Sequence, residues 1–322
     1  MQTKKPTVYV TRRLPADVTN RLVGDYDARL NEDDHLPSND EIESGVEGAD
    51  AIITTSNEPF RKERIDALPS SIKIITTFSV GFEHIDIQAA KDRGIQVGNT
   101  PDVLTEATAD IAMLCLLGAA RRAHEAASLL REGRWVGWHT TQLVGMELKG
   151  AAVGIVGMGR IGRAFARRAR GFGLTIHYHN RTQLREELAE GALYYGSVDE
   201  LLPKVDILSL HCPASPATTD MVNAKSLASM RPGSILVNTA RGALVDEAAL
   251  IDALKNGHLA AAGLDVFKNE PNVNREILAL DNVFALPHIG SATIHTRNQM
   301  GFCCLDNLDA CFAGRPIPHP VT

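Results

Sequence analysis

No excess of positive charge runs through this sequence. Its 322 residues carry 33 Lys and Arg against 39 Asp and Glu, a formal charge of −6. A surface that neutralises nucleic-acid phosphates carries a basic stripe instead, so no nucleic-acid partner is expected. A disulfide framework is also missing. The five cysteines, Cys115, Cys212, Cys303, Cys304 and Cys311, are an odd count without regular spacing, which points to reduced thiols in a cytoplasmic setting. The adjacent Cys303 and Cys304 have no His or Cys at ligand spacing, and no metal site is expected. Behind the two lysines of Met1–Pro6 there is no apolar signal core. The longest apolar run, Ile111–Ala120, is about half of what crosses a bilayer. A soluble protein without a membrane partner is the expectation. Repeats of solenoid length and low-complexity segments are absent as well.

What is present is ordinary globular material, 44% hydrophobic and 22% charged, in a chain long enough for two domains. Short apolar strands alternate with helical stretches. Val8–Val10, Ala51–Thr55, Ile72–Thr76 and Ile95–Val97 read as strands, Ala16–Leu22 and Ile85–Arg93 as helices, with Gly94 as a stop. This first series ends near Thr100-Pro101. Asp102–Arg122 reads as one long helix, apolar on every side and therefore buried between domains. After the tryptophan-bearing segment Arg131–Thr141, a second series supplies strands at Ala152–Val156, Thr175–His179, Ile207–Leu210, Ile235–Asn238, Ala261–Asp265 and Val283–Ala285. Ser291–Phe312 reads as a closing helix. Such alternation implies two α/β domains, each an open parallel sheet covered on both faces. Ligands of such pairs gather at the carboxyl ends of the strands, in the cleft between the domains.

The second series opens on Gly157-Met158-Gly159-Arg160-Ile161-Gly162, a G-x-G-x-x-G between an apolar strand and a helix at Arg163–Arg170. In that context Gly157 permits a tight turn, Gly159 admits a pyrophosphate, and Gly162 lets the helix approach the strand. A strand that selects NAD carries Asp or Glu about 20 residues past the glycines. Here the strand ends in His179-Asn180-Arg181-Thr182, and the first carboxylate is Glu186. An amide, a guanidinium and a hydroxyl suit a 2′-phosphate, so NADPH is expected, with NADH as the second donor. A solvated surface arginine is the plainer account of Arg181.

Three more polar residues follow strand ends: Arg241 after Ile235–Asn238, Glu270 after Ala261–Asp265, and His288 after Val283–Ala285. Singly they read as a surface charge, a turn and a cap. Together they suit a 2-keto acid. Arginine matches a carboxylate with its planar fork, histidine exchanges a proton near neutral pH, and a glutamate beside it favours the charged ring.

These runs, Val237–Gly242, Gly263–Phe267 with Glu270-Pro271, and Pro287–Ala292, together with Phe78–Asp86 and Thr100–Asp110, closely resemble the signatures of the D-2-hydroxyacid dehydrogenases, in that family's order. The resemblance implies a flavodoxin-like substrate-binding domain of residues 1–100 plus 291–322 and a Rossmann dinucleotide-binding domain of 101–290. It gives Arg241 the task of holding substrate, His288 that of acid–base, and Glu270 that of its partner. Val80 and Gly81 would offer backbone amides to the substrate carboxylate. Thr108 would face the cofactor phosphates and Asp265 the nicotinamide carboxamide, while Cys212 and Pro213 would line the adenine side. Cys212 also reads as a small apolar residue. Arg160, Ile161, Thr239, Ala240 and Gly290 fall in the same cofactor set, and subunits would pair through their cofactor domains into a homodimer.

Within the family the chain is most similar to the glyoxylate/hydroxypyruvate reductases. Asn180-Arg181-Thr182 matches their NADP-type strand end. Trp138 matches a tryptophan that related reductases extend toward the partner's active site, an interface or core aromatic being the alternative. The expected reaction is NADPH-dependent reduction of glyoxylate or hydroxypyruvate to the D-2-hydroxy acid. A sugar acid such as 2-ketogluconate is the alternative substrate. A dinucleotide-sensing, corepressor-like binding protein is the alternative outside enzymes, disfavoured by the strand end and the lack of a disordered tail.

Overall fold

Strand and helix alternate throughout the structure, a computed structural model that describes residues 4–321. The first three residues of the Met1–Pro6 segment lie outside the described residues. The first unit comprises the chain up to Leu104 and again from Ser291. It runs β1 (Thr7–Val10), α1 (Ala16–Asp25), β2 (Asp27–Arg29), α2 (Asn39–Val46), β3 (Ala51–Thr54), α3 (Lys62–Ala67), β4 (Ile74–Thr77), α4 (Ile87–Asp92) and β5 (Gln96–Gly98). The five strands form a parallel sheet in the order β2-β1-β3-β4-β5. β3 and β4 are buried at every position, as strands covered on both faces must be.

The second unit, Thr105–Gly290, holds α5 (Thr105–Ala120), α6 (Ala123–Arg131), β6 (Ala152–Val156), α7 (Arg160–Gly171), β7 (Thr175–His179), α8 (Glu186–Ala189), β8 (Leu193–Tyr195), α9 (Val198–Leu201), β9 (Ile207–Leu210), α10 (Ala224–Ser229), β10 (Ser234–Asn238), α11 (Glu247–Lys255), β11 (Leu259–Leu264), α12 (Arg275–Leu278) and β12 (Val283–Ala285). Its sheet has seven parallel strands in the order β12-β11-β10-β9-β6-β7-β8. Strand order reverses between β6 and β9, the switch point where Rossmann sheets bind dinucleotides. α13 (Ile294–Phe312) then rejoins the first unit, packing Leu305 and Leu308 against Val8, Val10 and Leu22.

Two expectations need correction. The helix read over 102–122 is α5 alone, from Thr105 to Ala120, and a separate helix, α6, follows it. Between them Arg122 takes a left-handed φ of 53°. The Met146 amide caps the Ala120 carbonyl at 2.8 Å, so a crossing loop ends α5. α5 owes its burial to β10, β11 and α7 of its own unit. The helix read over 163–170 starts earlier, at Arg160. β2 and β8 were not foreseen. Each is a three-residue strand at a sheet edge, where partial exposure removes the apolar run that marks an inner strand.

α13 is tied to the sheet by Asn307, which is fully buried. Its Nδ2 donates to the Asn99 carbonyl at 3.3 Å, and its Oδ1 accepts the His319 amide at 3.1 Å. Asn307→Leu keeps the volume but strands both backbone groups, each worth about 1–3 kcal/mol when left unpaired. The urea midpoint should fall with an unchanged m-value. An unmoved midpoint would show that these bonds do not hold the helix.

Candidate active site

β6 runs straight into the glycine turn, and each glycine there answers to a different neighbour. Gly157 has a φ of +97°, and a Cβ on it would sit 2.5 Å from the Cys212 amide nitrogen. A Cβ on Gly162 would meet the Gly157 carbonyl oxygen at 2.4 Å. Both are required by the protein's own backbone. Gly159 is not, since a Cβ there would meet nothing within 4 Å. It forms the N-cap of α7 without a side-chain cap, at a helix end whose first-turn amides have no partner within the helix. The positive end of the helix dipole lies there too. The turn therefore fits a pyrophosphate.

The end of β7 is bound to this turn. The Gly157 amide donates to the His179 carbonyl at 3.0 Å, and the Met158 amide donates to Asn180 Oδ1 at 2.7 Å. Asn180 thus holds the turn with its oxygen. Arg181 and Thr182 are exposed, and among the described residues Arg181 has no hydrogen-bond or ion-pair partner. On the other side of Gly157 stand Cys212 and Pro213. Burial pushes the Cys212 thiol up to about 11, so at neutral pH it is an uncharged, apolar wall.

At the carboxyl ends of β10, β11 and β12 the polar residues meet. His288 Nδ1 and Glu270 Oε2 lie 2.7 Å apart. The other carboxylate oxygen of Glu270 accepts the Phe267 amide at 2.8 Å. Burial alone would raise the Glu270 carboxyl. The hydrogen bond and charge of His288, the Phe267 amide and the charge of Arg241 outweigh it, and Glu270 sits below the ordinary carboxylate range. Arg241 leaves β10 through a loop shaped by Asn238. The side chain of Asn238 accepts the Ala240 amide at 3.0 Å and donates to the Arg241 carbonyl at 2.8 Å. The neighbouring Gly242 packs so closely on the Phe267 carbonyl that a Cβ would sit 2.2 Å from its oxygen. The arginine loop and the glutamate loop are thereby in direct backbone contact.

Asp265 is the third carboxylate, and its environment acts in the opposite direction. Burial raises it above the ordinary range, against the Ile289 amide and the charge of His288. Its Oδ1 accepts the Ile289 amide at 2.7 Å, which holds the turn carrying His288 at a left-handed φ of 53°. Its Oδ2 is buried without a partner among the described residues, an acceptor set for a ligand N–H such as a carboxamide. The Thr239 hydroxyl is buried and unpartnered in the same way. Gly290 lies beside Asp265 and Thr108, and its carbonyl accepts the Thr108 hydroxyl at 3.1 Å. These unsatisfied groups and the open turn fit a nicotinamide dinucleotide.

Val80 and Gly81 belong to the first unit, half-buried in the loop after β4. Trp138 is 78% exposed, which rules out the core reading of that residue. Among the described residues no cluster of His, Cys, Asp or Glu could hold a metal ion, and no helix is long and apolar enough to cross a membrane. Sequence reasoning missed Asn238. Its signal was an asparagine directly after an apolar strand and before a small-residue turn, the setting in which Asn bonds its own backbone two residues on.

Comparison with known proteins agrees with this geometry. Residues 113–290 match the family described as D-isomer specific 2-hydroxyacid dehydrogenase, NAD binding domain. The chain is 44% identical to a glyoxylate reductase of Thermococcus litoralis, over 98% of this chain and 97% of that protein. It is 43% identical to a glycerate dehydrogenase of Hyphomicrobium methylovorum, over 98% and 99% of the two chains. The structure of an NADPH-dependent glyoxylate/hydroxypyruvate reductase from Sinorhizobium meliloti, in complex with NADP and malonate, superimposes with a TM-score of 0.87 at 39% identity, covering 99% of this chain and 97% of that one.

The glycines separate ligand from fold. Gly159→Ala should leave the thermal midpoint unchanged and weaken dinucleotide binding about tenfold or more, read by titration calorimetry. Gly162→Ala should lower the midpoint, because its methyl group meets backbone. Equal loss of stability in both variants would mean that Gly159 serves packing alone.

Proposed function

The chain belongs to the D-isomer specific 2-hydroxyacid dehydrogenase family, and from that premise we propose that it reduces glyoxylate or hydroxypyruvate to the D-2-hydroxy acid with NADPH as the preferred donor. The observation that carries this reading is the 2.7 Å contact between His288 and Glu270, with an arginine acting on the same carboxylate. The glyoxylate reductase and glycerate dehydrogenase relatives support the substrate class.

A bound dinucleotide supplies the hydride; the proton and the orientation come from this chain. Glu270 stays ionised at neutral pH and accepts from His288 Nδ1–H. That leaves Nε2 as the atom that passes a proton to the carbonyl oxygen during reduction. Arg241 grips the substrate carboxylate with paired donors, and the amides of Val80 and Gly81 add two more. Asp265 Oδ2 accepts from the nicotinamide carboxamide. The open turn at Gly159, with Arg160 and Ile161, takes the pyrophosphate. Arg181 and Thr182, with the spare amide hydrogens of Asn180, take a 2′-phosphate. NADH, which lacks that phosphate, is the weaker donor.

A homodimer forms part of the same reading. Val136, Trp138 and Val144 are exposed at 89%, 78% and 66%, an apolar segment that a second subunit would cover. The five free cysteines suit a reducing, cytoplasmic compartment.

His288→Ala should lower turnover by about 10²–10⁴ while NADPH binding stays as in the wild type; near-normal turnover would remove His288 from the chemistry. Arg181→Ala should cost about ten- to a hundredfold in kcat/KM for NADPH, since a hydrogen bond to a charged group is worth about 1.5–3 kcal/mol. The value for NADH should not change. If the wild-type enzyme favours NADH, the NADP reading fails and the family assignment stands.

A further inference from the structure

The loop after β4 directs its amides outward because its carbonyls are held. The Ser79 carbonyl accepts the Thr100 amide at 3.0 Å. The Val80 carbonyl accepts Asn99 Nδ2 at 2.8 Å, and the Gly81 carbonyl accepts the Ser79 hydroxyl at 2.6 Å. In a trans peptide the N–H points away from the C=O. Holding the Ser79 carbonyl therefore aims the Val80 N–H to the opposite side, and holding the Val80 carbonyl does the same for the Gly81 N–H. Among the described residues neither N–H donates to another group. Consecutive undonated amides form an anion-binding surface made of backbone dipoles alone.

Of the three clamps, the Thr100 bond is backbone and the Ser79 bond lies within the loop. Asn99 is the side chain that reaches in from a neighbouring strand end. It is only 9% exposed and is itself held. Its amide donates to the His319 carbonyl at 3.1 Å, and its carbonyl accepts Asn307 Nδ2. A second chain of bonds supports the Gly81 peptide. Because the Ser79 hydroxyl donates to a carbonyl, it must accept from Thr77 Oγ1 at 2.7 Å, which in turn must accept from His84 Nε2 at 3.0 Å. That order places a proton on Nε2 of the buried His84.

We propose that Asn99 is a positioning residue for the substrate carboxylate: it does not touch the keto acid, and it acts by holding the Val80–Gly81 peptide with its N–H toward the anion. The inference rests on Val80 and Gly81 being carboxylate donors. Loss of the clamp lets that peptide rotate, which weakens carboxylate binding and leaves the dinucleotide site in the other unit intact.

The test compares Asn99→Ala and Asn99→Asp with the wild type in KM and kcat for glyoxylate, the inhibition constant of oxalate, the Kd of NADPH and the thermal midpoint. Aspartate keeps the size and loses the donor. KM and the oxalate constant should rise together by about tenfold, the order of one lost hydrogen bond. The fall in kcat should be much smaller, and NADPH affinity should not move. Should the alanine variant fail to fold, the aspartate variant and Ser79→Ala carry the test, the latter with a smaller rise in KM. Folded variants with wild-type KM and oxalate constants overturn the proposal, as does a parallel loss of KM, kcat and NADPH affinity. A wild-type protein that neither reduces a 2-keto acid nor binds oxalate overturns the functional reading, and the proposal with it.

Discussion

The hydrogen bond between His288 and Glu270 depends on several backbone contacts meeting at one edge of the second sheet. Glu270 keeps one oxygen for the ring because the Phe267 amide occupies the other. The loop carrying Glu270 is held further by Glu247, at the start of α11, which accepts the Lys268 amide at 2.8 Å, and by the ion pair of Lys268 with Asp220. From the opposite side His288 is held at a left-handed φ that few non-glycine residues adopt. The Asp265 carboxylate secures that turn through the Ile289 amide. Apart from that ion pair, each contact is a backbone group satisfied by a side chain, which lets irregular loops stay rigid without a core of their own.

The same economy governs the dinucleotide turn. Gly157 and Gly162 are required by close backbone approach, Gly159 borders an open space, and Asn180 joins the turn to the neighbouring strand. Environments around the two carboxylates diverge in consequence. Glu270, beside the ring, the Phe267 amide and the charge of Arg241, stays charged. Asp265, with one oxygen unpaired, is pushed toward its neutral form. A site that separates its acids in this way can keep one as a fixed anion and another as a ligand partner.

Most of the sheet framework was legible because parallel strands are buried on both faces and read as apolar runs. The inner strands β3, β4, β6, β9 and β10 are buried at every position and mostly apolar. β2 and β8 lie at edges, where the signal fades. The break between α5 and α6 was hidden because its cause, the Met146 amide on the Ala120 carbonyl, comes from about 25 residues further on, a non-local pairing no local pattern reveals. Glycines, arginine, glutamate and histidine could be named from strand-end positions. The roles of Asn99, Asn180 and Asn238 could not, since an asparagine in a loop looks alike whether it shapes backbone or faces water. Only the partner atoms distinguish the two.

The central claim is that Glu270 works through His288, holding the ring by Nδ1 and leaving Nε2 for the proton transfer. It is tested most directly by kcat for glyoxylate reduction in the wild type, Glu270→Gln, His288→Ala and the double variant, since two residues acting as one unit do not lose turnover independently. The expected result is non-additivity: Glu270→Gln lowers kcat when His288 is present and costs little more once His288 is alanine. Losses that multiply in the double variant, or wild-type turnover in Glu270→Gln, would contradict it.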